Sequence, residues 1–567
     1  MDLTKNLPMS EVESNESEGG ETTPLIPSGG FLPRTLLHWA GAFSGGVLLG
    51  ITFLFPAFSD LVWVALVPLF LLIRERDARG NFLMGWLVGF PWFFISCHWL
   101  RHVTVAGWVC LALFEATWLG LWMMAAGRFH TRWRLAVLPM LWVAMEMVRS
   151  KGPLGFSWNL LGHAADPLLF LVQGWGVYGL SFAIVGANAA VAWLILMSLK
   201  QLPCVYAPDG AGFFLLVPVL WLGVGWWEVR PVPIALGEVE VAMVQGSFPQ
   251  SLKWTVPPAQ AVSRYVGLTD EVLKDYRPDL IVWPEAAIPT ILSEEPPLLE
   301  FLRDQTTRWR TPLLFGVLDQ DRRKEGASHL FNSVVLLDPV ADRGKEAIEE
   351  PRQVSQFLRG TEDEPSRSLF LPSVHAGFPS GPVRVYDKAR LLPFGEYVPF
   401  APLIPFVQKF VEDRGGGAFS AGKPGRVLET RFGEIGPLVC FESTYSSLAR
   451  QAVLNGAQLL INVTNDAWFL KTAATHQHAL QCRFRAVETG RAVVRAANTG
   501  TTAVYMPDGS IRSELPEWTQ TAGVAKVPLY SHLTFSARVG DCFAWLCLIC
   551  FAFSLWNAAG PLEEETT

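Results

Sequence analysis

Between residues 36 and 228 long apolar runs alternate with short polar loops, and then the alternation stops. The runs lie near 36–55, 59–73, 82–99, 104–126, 133–148, 176–198 and 211–227, with an eighth near 541–557. A helix needs about twenty residues to cross a bilayer core of ~30 Å, so several of these have uncertain edges. Main-chain hydrogen bonding in lipid makes them helices rather than barrel strands. A single run of this kind fits a buried helix of a water-soluble domain. Seven in close succession predict a polytopic α-helical membrane domain over 34–228, with an eighth helix and a short tail over 531–567.

Residues 229–530 have a different pattern. Short strand-like runs occur at 238–246, 280–286, 312–319, 332–339, 433–440, 458–465, 492–500 and 501–509, and helical periodicity occurs at 260–275, 294–309 and 445–456. Strands alternating with helices predict an α/β domain with a mostly buried sheet. Residues 341–370 are rich in charge, Gly and Ser and read as a mobile insertion whose charges form a solvated face. The first 33 residues are polar and acidic and read as a disordered tail.

Composition agrees with a membrane protein carrying a water-exposed part. Half of the 567 residues are apolar, 17% are charged, and there are 23 Trp and 37 Phe. The net charge of -7 gives no support to a nucleic-acid partner. Five of the eight cysteines lie in very apolar segments, so neither a disulfide scaffold nor a zinc site is expected. His476 and His478 stand two apart with no clear acidic third ligand.

Loop charge sets an orientation. Arg74, Arg76 and Arg79 follow the second run, Arg128, Arg132 and Arg134 the fourth, and Lys200 the sixth. Arg101 alone follows the third, and Arg149 with Lys151 the fifth. The bias puts the N-terminus in the cytoplasm and the 229–530 domain outside it. Glu115 and Glu146 fall inside apolar runs and are expected to serve helix packing, with no basic partner at their depth. The segment 152–163 is expected to re-enter or lie along the outer interface, with Trp158 as a headgroup anchor.

Three residues beside predicted strand ends suit acyl chemistry. Glu285 ends the run LIVWPE, Lys388 lies in the Pro- and aromatic-rich stretch 384–400, and Cys440 ends GPLVC. Each taken alone also fits a bland role: a loop carboxylate, a surface lysine, a buried thiol. Together they offer a nucleophile, a carboxylate to take its proton and a cation for the negative oxygen of a tetrahedral intermediate. Spacing along the chain does not establish that they meet.

WPE at 283–285, YDKARLLPFGEYVPF at 386–400, CFE at 440–442 and the run 462–500 resemble the nitrilase superfamily, and its membrane branch, the apolipoprotein N-acyltransferases, most closely. The resemblance implies an α/β nitrilase-like αββα sandwich clasped between the seventh and eighth membrane helices. It implies Glu285 as general base, Lys388 as oxyanion-stabilising cation and Cys440 as nucleophile. Glu396 would support Lys388 or the thiol, Glu442 would hold the nucleophile loop, and Trp283 and Phe441 would line the site. Phe441 stands where the family commonly has Tyr, Arg390 where it often has His, and Leu470 where it usually has Gly.

The implied reaction takes an acyl chain from a glycerophospholipid onto cysteine, then passes it to the amine of the diacylglyceryl-cysteine of an apolipoprotein. No metal or dissociable cofactor is implied. The expected setting is the bacterial cytoplasmic (inner) membrane, multi-pass, with the catalytic domain on the periplasmic face, and a monomer is expected. The stretch 400–410 is expected to dip into the interface or act as a lid, with ordinary loop packing as the other reading. A membrane-anchored amidase keeps the same three residues, and a transporter with an inert outer domain would draw on Glu115 and Glu146.

Overall fold

The computed structural model describes residues 34–72, 77–128, 134–199, 234–321, 329–340, 383–412, 417 and 419–558. The expected N-terminal tail, the seventh apolar run and the 341–370 insertion lie outside the described residues. Six helices precede the strands among them: α1 (Arg34–Leu54), α2 (Val67–Leu72), α3 (Ala78–Ser96), α4 (Val105–Ala126), α5 (Arg134–Arg149) and α6 (Val172–Ser198). Side chains cap two of them, since Asp77 accepts from the Gly80 amide and Thr104 from the Gly107 amide. Among the described residues two helices are long and apolar enough to cross a membrane, Val105–Ala126 and Leu168–Ser198.

The second expected span, 59–73, is not one helix. A 3-10 turn over Pro56–Trp63 breaks before α2. Asn188 of α6 makes the break tenable: its Oδ1 accepts from the Leu66 amide and its Nδ2 donates to the Val62 carbonyl, both at 2.9 Å. A side chain inside the bundle thus satisfies main-chain groups that lipid would leave bare.

The remaining chain forms two sheets. The first has strands β1 (Gly237–Gln245), β2 (Leu280–Val282), β3 (Ile288–Ile291), β4 (Leu313–Asp321), β5 (His329–Leu337), β6 (Val383–Asp387) and β13 (Thr521–Leu529), in the order β13-β1-β2-β4-β5-β6 with β3 on β4. The second has β7 (Leu428–Thr430), β8 (Gly433–Val439), β9 (Leu459–Thr464), β10 (Val493–Ala497), β11 (Thr502–Tyr505) and β12 (Ile511–Leu515), in reverse chain order. Each sheet has a parallel centre, β1-β2-β4 and β8-β9-β10, flanked by antiparallel strands. Parallel strands buried on both faces read as unbroken apolar runs, as these do.

The layers follow from where alternate side chains go. Val241, Met243, Val282 and Leu314 meet Ile461, Val463 and Val494 between the sheets. Ile281, Trp283 and Phe315 point the other way, against α8 (Pro258–Asp275) and α9 (Pro296–Trp309). The second sheet is covered by α11 (Ser446–Leu454) and α12 (Ala473–Thr489). Those two helices share one continuous apolar core with the membrane-type helices. The order is therefore helix, sheet, sheet, helix, then the apolar bundle, which the C-terminal helix α14 (Cys542–Ala558) rejoins against α5 and α6. Cys547 and Cys550 stand at CxxC spacing on α14, and no disulfide joins any of the described cysteines.

Candidate active site

Each strand that carries a candidate residue ends at one corner between the sheets. β8 stops at Val439, and Cys440 follows at φ +52°, a left-handed backbone that costs a non-glycine residue ~1–3 kcal/mol. β2 stops at Val282 and the chain turns through Pro284 to Glu285; the next residue, Ala286, is also left-handed, at φ +43°. Lys388 follows the last residue of β6.

The corner is held by a dense set of bonds. Lys388, 2% exposed, meets Glu396 Oε1 at 2.8 Å and Glu285 Oε1 at 3.8 Å. Asn332 of β5 donates Nδ2 to both carboxylates, at 2.8 Å to Glu285 and 3.0 Å to Glu396. Glu285 Oε2 accepts from the Asn465 amide at 2.9 Å, and Glu396 Oε2 from the Leu392 amide at 2.8 Å. Burial works to lower the Lys388 ammonium, but Glu396, Cys440 and Glu285 outweigh it and hold it above the ordinary lysine range. Burial, reinforced by the Glu285 charge and opposed by Lys388, pushes the Cys440 thiol up to about 12. A resting thiol is therefore protonated at neutral pH, and a nucleophilic role requires a base beside it.

Glu442 is fully buried and faces the loop rather than the thiol. It accepts from the amides of Val439 (2.7 Å), Ala389 (2.6 Å) and Arg390 (3.0 Å) and from the Tyr386 hydroxyl (3.0 Å). One carboxylate thus ties the strand end before Cys440 to the chain after Lys388. Burial raises it to about 7, against those amide bonds.

Two expected lining residues are elsewhere. Trp283 lies on the helix side of β2, stacked on Tyr265 at 5.1 Å with its Nε1 on Thr269. The alternation that turns Val282 inward turns Trp283 outward. The Phe441 ring stacks on Phe156 and Trp158 and faces the apolar bundle.

The 152–163 segment is likewise not an interface anchor. Trp158 is 1% exposed and packs against Trp99, Phe441, Phe469 and His478. The segment is strapped to the catalytic loops: Arg390 donates to the Gly152 carbonyl at 2.6 Å, Tyr397 to Pro153, and Tyr445 to Gly155 at 2.7 Å. Ser157 meets Thr444 at 2.7 Å, and Trp158 Nε1 donates to Gln477 at 2.8 Å. Its aromatic content serves an interlayer contact instead of headgroups. Leu470 takes φ +52°, a conformation that glycine adopts without strain.

Sequence reasoning missed the residues behind Cys440. His478 Nε2 meets the Cys440 carbonyl at 3.0 Å and its Nδ1 meets Asp466 at 3.0 Å, while Asp466 also pairs with Arg495. Burial works to raise the Asp466 carboxyl, but Arg495 and His478 win and hold it at about 2. The pairing of His478 with a carboxylate twelve residues away was not visible in its spacing from His476. Glu115 also has the basic partner that the sequence did not offer: Arg149, 3% exposed, at 2.9 Å.

Gly316 of β4 sets the position of Glu285. A Cβ there would lie 2.6 Å from Glu285 Cα and 2.7 Å from the Ala286 nitrogen, both main-chain atoms. Gly316→Ala is expected to displace the carboxylate and cut activity about 10²-fold. Initial rates with thermal unfolding as a control check this; an unchanged rate in a folded protein refutes it.

Residues 240–531 match the family described as Carbon-nitrogen hydrolase, and residues 45–190 match the Apolipoprotein N-acyltransferase N-terminal domain. The apolipoprotein N-acyltransferase of Geobacter metallireducens is 31% identical over 522 residues, 89% of this chain and 92% of its own. That of Chlorobaculum tepidum is 29% identical over 527 residues, 89% of this chain and 93% of its own. A solved Saccharomyces cerevisiae member of branch 10 of the nitrilase superfamily aligns with 60% of this chain and 99% of its own at 14% identity, with a TM-score of 0.35. The two family matches stand on either side of residues 191–239, one over the apolar helices and the other over the sheets, and the Geobacter relative aligns across both. The chain therefore belongs to the apolipoprotein N-acyltransferases, the membrane branch of the nitrilase superfamily.

Proposed function

We propose that this protein transfers an acyl chain from a glycerophospholipid, through a thioester on Cys440, to the N-terminal amine of the diacylglyceryl-cysteine of an apolipoprotein. The observation that carries this reading is the convergence of Glu285, Lys388 and Glu396 with Cys440 at one corner of the sandwich. Glu285 takes the thiol proton as sulfur attacks the ester carbonyl. Lys388 stabilises the negative oxygen. The C–O bond breaks, the same proton goes to the leaving glyceryl oxygen, and lysophospholipid departs. In the second half, the acceptor amine attacks the thioester, Glu285 takes a proton from nitrogen, and the C–S bond breaks to restore the thiol. Glu396 orients Lys388, and Glu442 holds the loop.

The domain layout follows from this reading. Seven spans over 34–228, an extracytoplasmic catalytic domain over 229–530 and an eighth helix would set the corner just outside the inner membrane, where both lipid substrates present their reactive groups. The apolar stretch after Lys388 supports it: Leu403 is 79% exposed and Phe406 74%, so neither is packed as an ordinary loop. A surface of that kind fits contact with lipid. A transporter reading drew on Glu115 and Glu146; Glu115 pairs with Arg149, and Glu146 Oε1 accepts from Trp142 Nε1 and the Leu161 amide, which supports a packing role for both.

The test is intact-mass analysis after incubation with defined phospholipid. Wild type should gain one hydroxylamine-labile acyl chain and release lysophospholipid, and a diacylglyceryl-cysteine peptide should then discharge it. Cys440→Ser should form no thiol-linked adduct. A folded wild type that never gains an acyl group would end this reading.

A further inference from the structure

Lys253 is a buried lysine that the reaction above leaves unused. It closes the one-turn helix α7 (Gln250–Lys253) and is 3% exposed. Its Nζ donates to the main-chain carbonyl of Glu285 at 2.9 Å. The segment that carries it is wired to the same corner. Gln250 Oε1 accepts from Asn465 Nδ2 at 2.9 Å, and the Asn465 amide is the one that binds the Glu285 carboxylate. Asn498 bridges Asn465 to the Phe248 carbonyl. Lys253 therefore does not reach the corner by chance as a long side chain folded in from the surface.

A buried ammonium is costly unless other charges compensate it. Lys253 Nζ sits on the Glu285 main chain, the charges that act on it are the Glu285 carboxylate and the Cys440 sulfur, and Lys388 and Glu396 complete the charged corner. The two carboxylates there outnumber Lys388 alone. With Lys253 charged, the corner is balanced before reaction and can better accept a negative sulfur. Burial lowers this ammonium to about 8 against the pull of Glu285 and Cys440, so it is charged at neutral pH and loses its charge on mild alkalinisation.

We propose that Lys253 is a positioning residue of this reaction: a second buried ammonium that pins the main chain of Glu285 and lends positive charge to Cys440 as the sulfur gives up its proton. Its catalytic consequence rests on the acyl-transfer reading, but thiol reactivity tests it separately. Lys253 touches neither half of the substrate in this account; it acts through Glu285 and Cys440.

The experiment follows alkylation of Cys440 by iodoacetamide against pH in the full-length protein, read by mass spectrometry on the Cys440 peptide. Acyl-enzyme formation is measured in parallel. At pH 7 Lys253→Met should alkylate about tenfold more slowly, since one neighbouring charge moves a thiol by one unit or more. That deficit should close as pH passes about 8, where the wild-type ammonium is itself lost. Lys253→Arg, which stays charged, should match wild type at pH 7 and keep gaining reactivity where wild type flattens. A Lys253→Met rate equal to wild type, or a deficit that is uniform in pH, would overturn the proposal, the second because it marks a purely structural role. Should Lys253→Met not fold, Lys253→Arg decides: flattening like wild type refutes the idea. A wild type with the expected alkylation profile but no acyl-enzyme would instead count against acyl transfer and leave the role of Lys253 standing.

Discussion

Lys388→Met should slow acyl-enzyme formation by about 10²–10³-fold, the usual cost of losing one donor to a developing oxyanion. Two separate losses are combined in that number. The first is the charge that Lys388 brings to the tetrahedral oxygen. The second is local: Glu285 and Glu396 would be left facing each other through one Asn332 amide, at 2.8 and 3.0 Å, with no cation between them. Two like charges so placed repel each other, and Glu285 is pushed from the position in which it takes the thiol proton. Breaking a buried pair also costs about 3–5 kcal/mol of stability. The double variant Lys388→Met with Glu396→Gln separates these effects, because it removes the stranded charge. It should recover most of the thermal stability and little of the rate. Rapid-quench intact mass together with thermal unfolding reads both. Acylation by Lys388→Met within tenfold of wild type would deny Lys388 its assigned part.

The reason the corner was readable is that its residues end strands. Cys440 closes a run of buried residues, and Glu285 follows a Pro that stops β2, so pattern and chemistry fell at the same positions. The elements that escaped have physical reasons. β13 is half-exposed along most of its length, being an edge strand, and lacks a clean alternation. β6 was absorbed into a Pro- and aromatic-rich loop because it ends in Tyr386, Asp387 and then Lys388, residues chosen for the site rather than for a sheet. α12 is buried on nearly every side, and its interior positions include Gln477, His478, Gln481, Arg485 and Glu488. A helix whose polar residues point inward has no apolar stripe to detect. Trp283, which the resemblance implies as a lining residue, faces the helix side instead, because an extended chain puts neighbours on opposite faces.

Arg149 is the clearest case of a residue that local sequence misplaces, and its replacement should have the other large effect. At the end of an apolar run it looks like a topological loop charge. In the fold it is buried at the last turn of α5, with NH1 on Glu115 of α4 at 2.9 Å and on the Trp158 carbonyl at 3.3 Å. Its NH2 reaches the Asn159 carbonyl at 3.2 Å, and its guanidinium lies 5.2 Å from the centre of the Phe93 ring. Arg149→Met strands a buried carboxylate, which should cost about 3–5 kcal/mol. It also frees two carbonyls of the segment that carries Ser157 and Trp158 against Thr444, Phe441 and His478, the residues around Cys440. Loss of acyl-enzyme formation should therefore accompany the loss of stability. Adding Glu115→Leu removes the stranded charge and should restore much of the melting temperature, but it returns no donor to Trp158 or Asn159. The rate should then stay at least tenfold low, since displacements near 1 Å at a reacting centre cost about that much or more. A double variant that regains both stability and rate would mean that the apolar helices hold the catalytic domain without shaping its nucleophile.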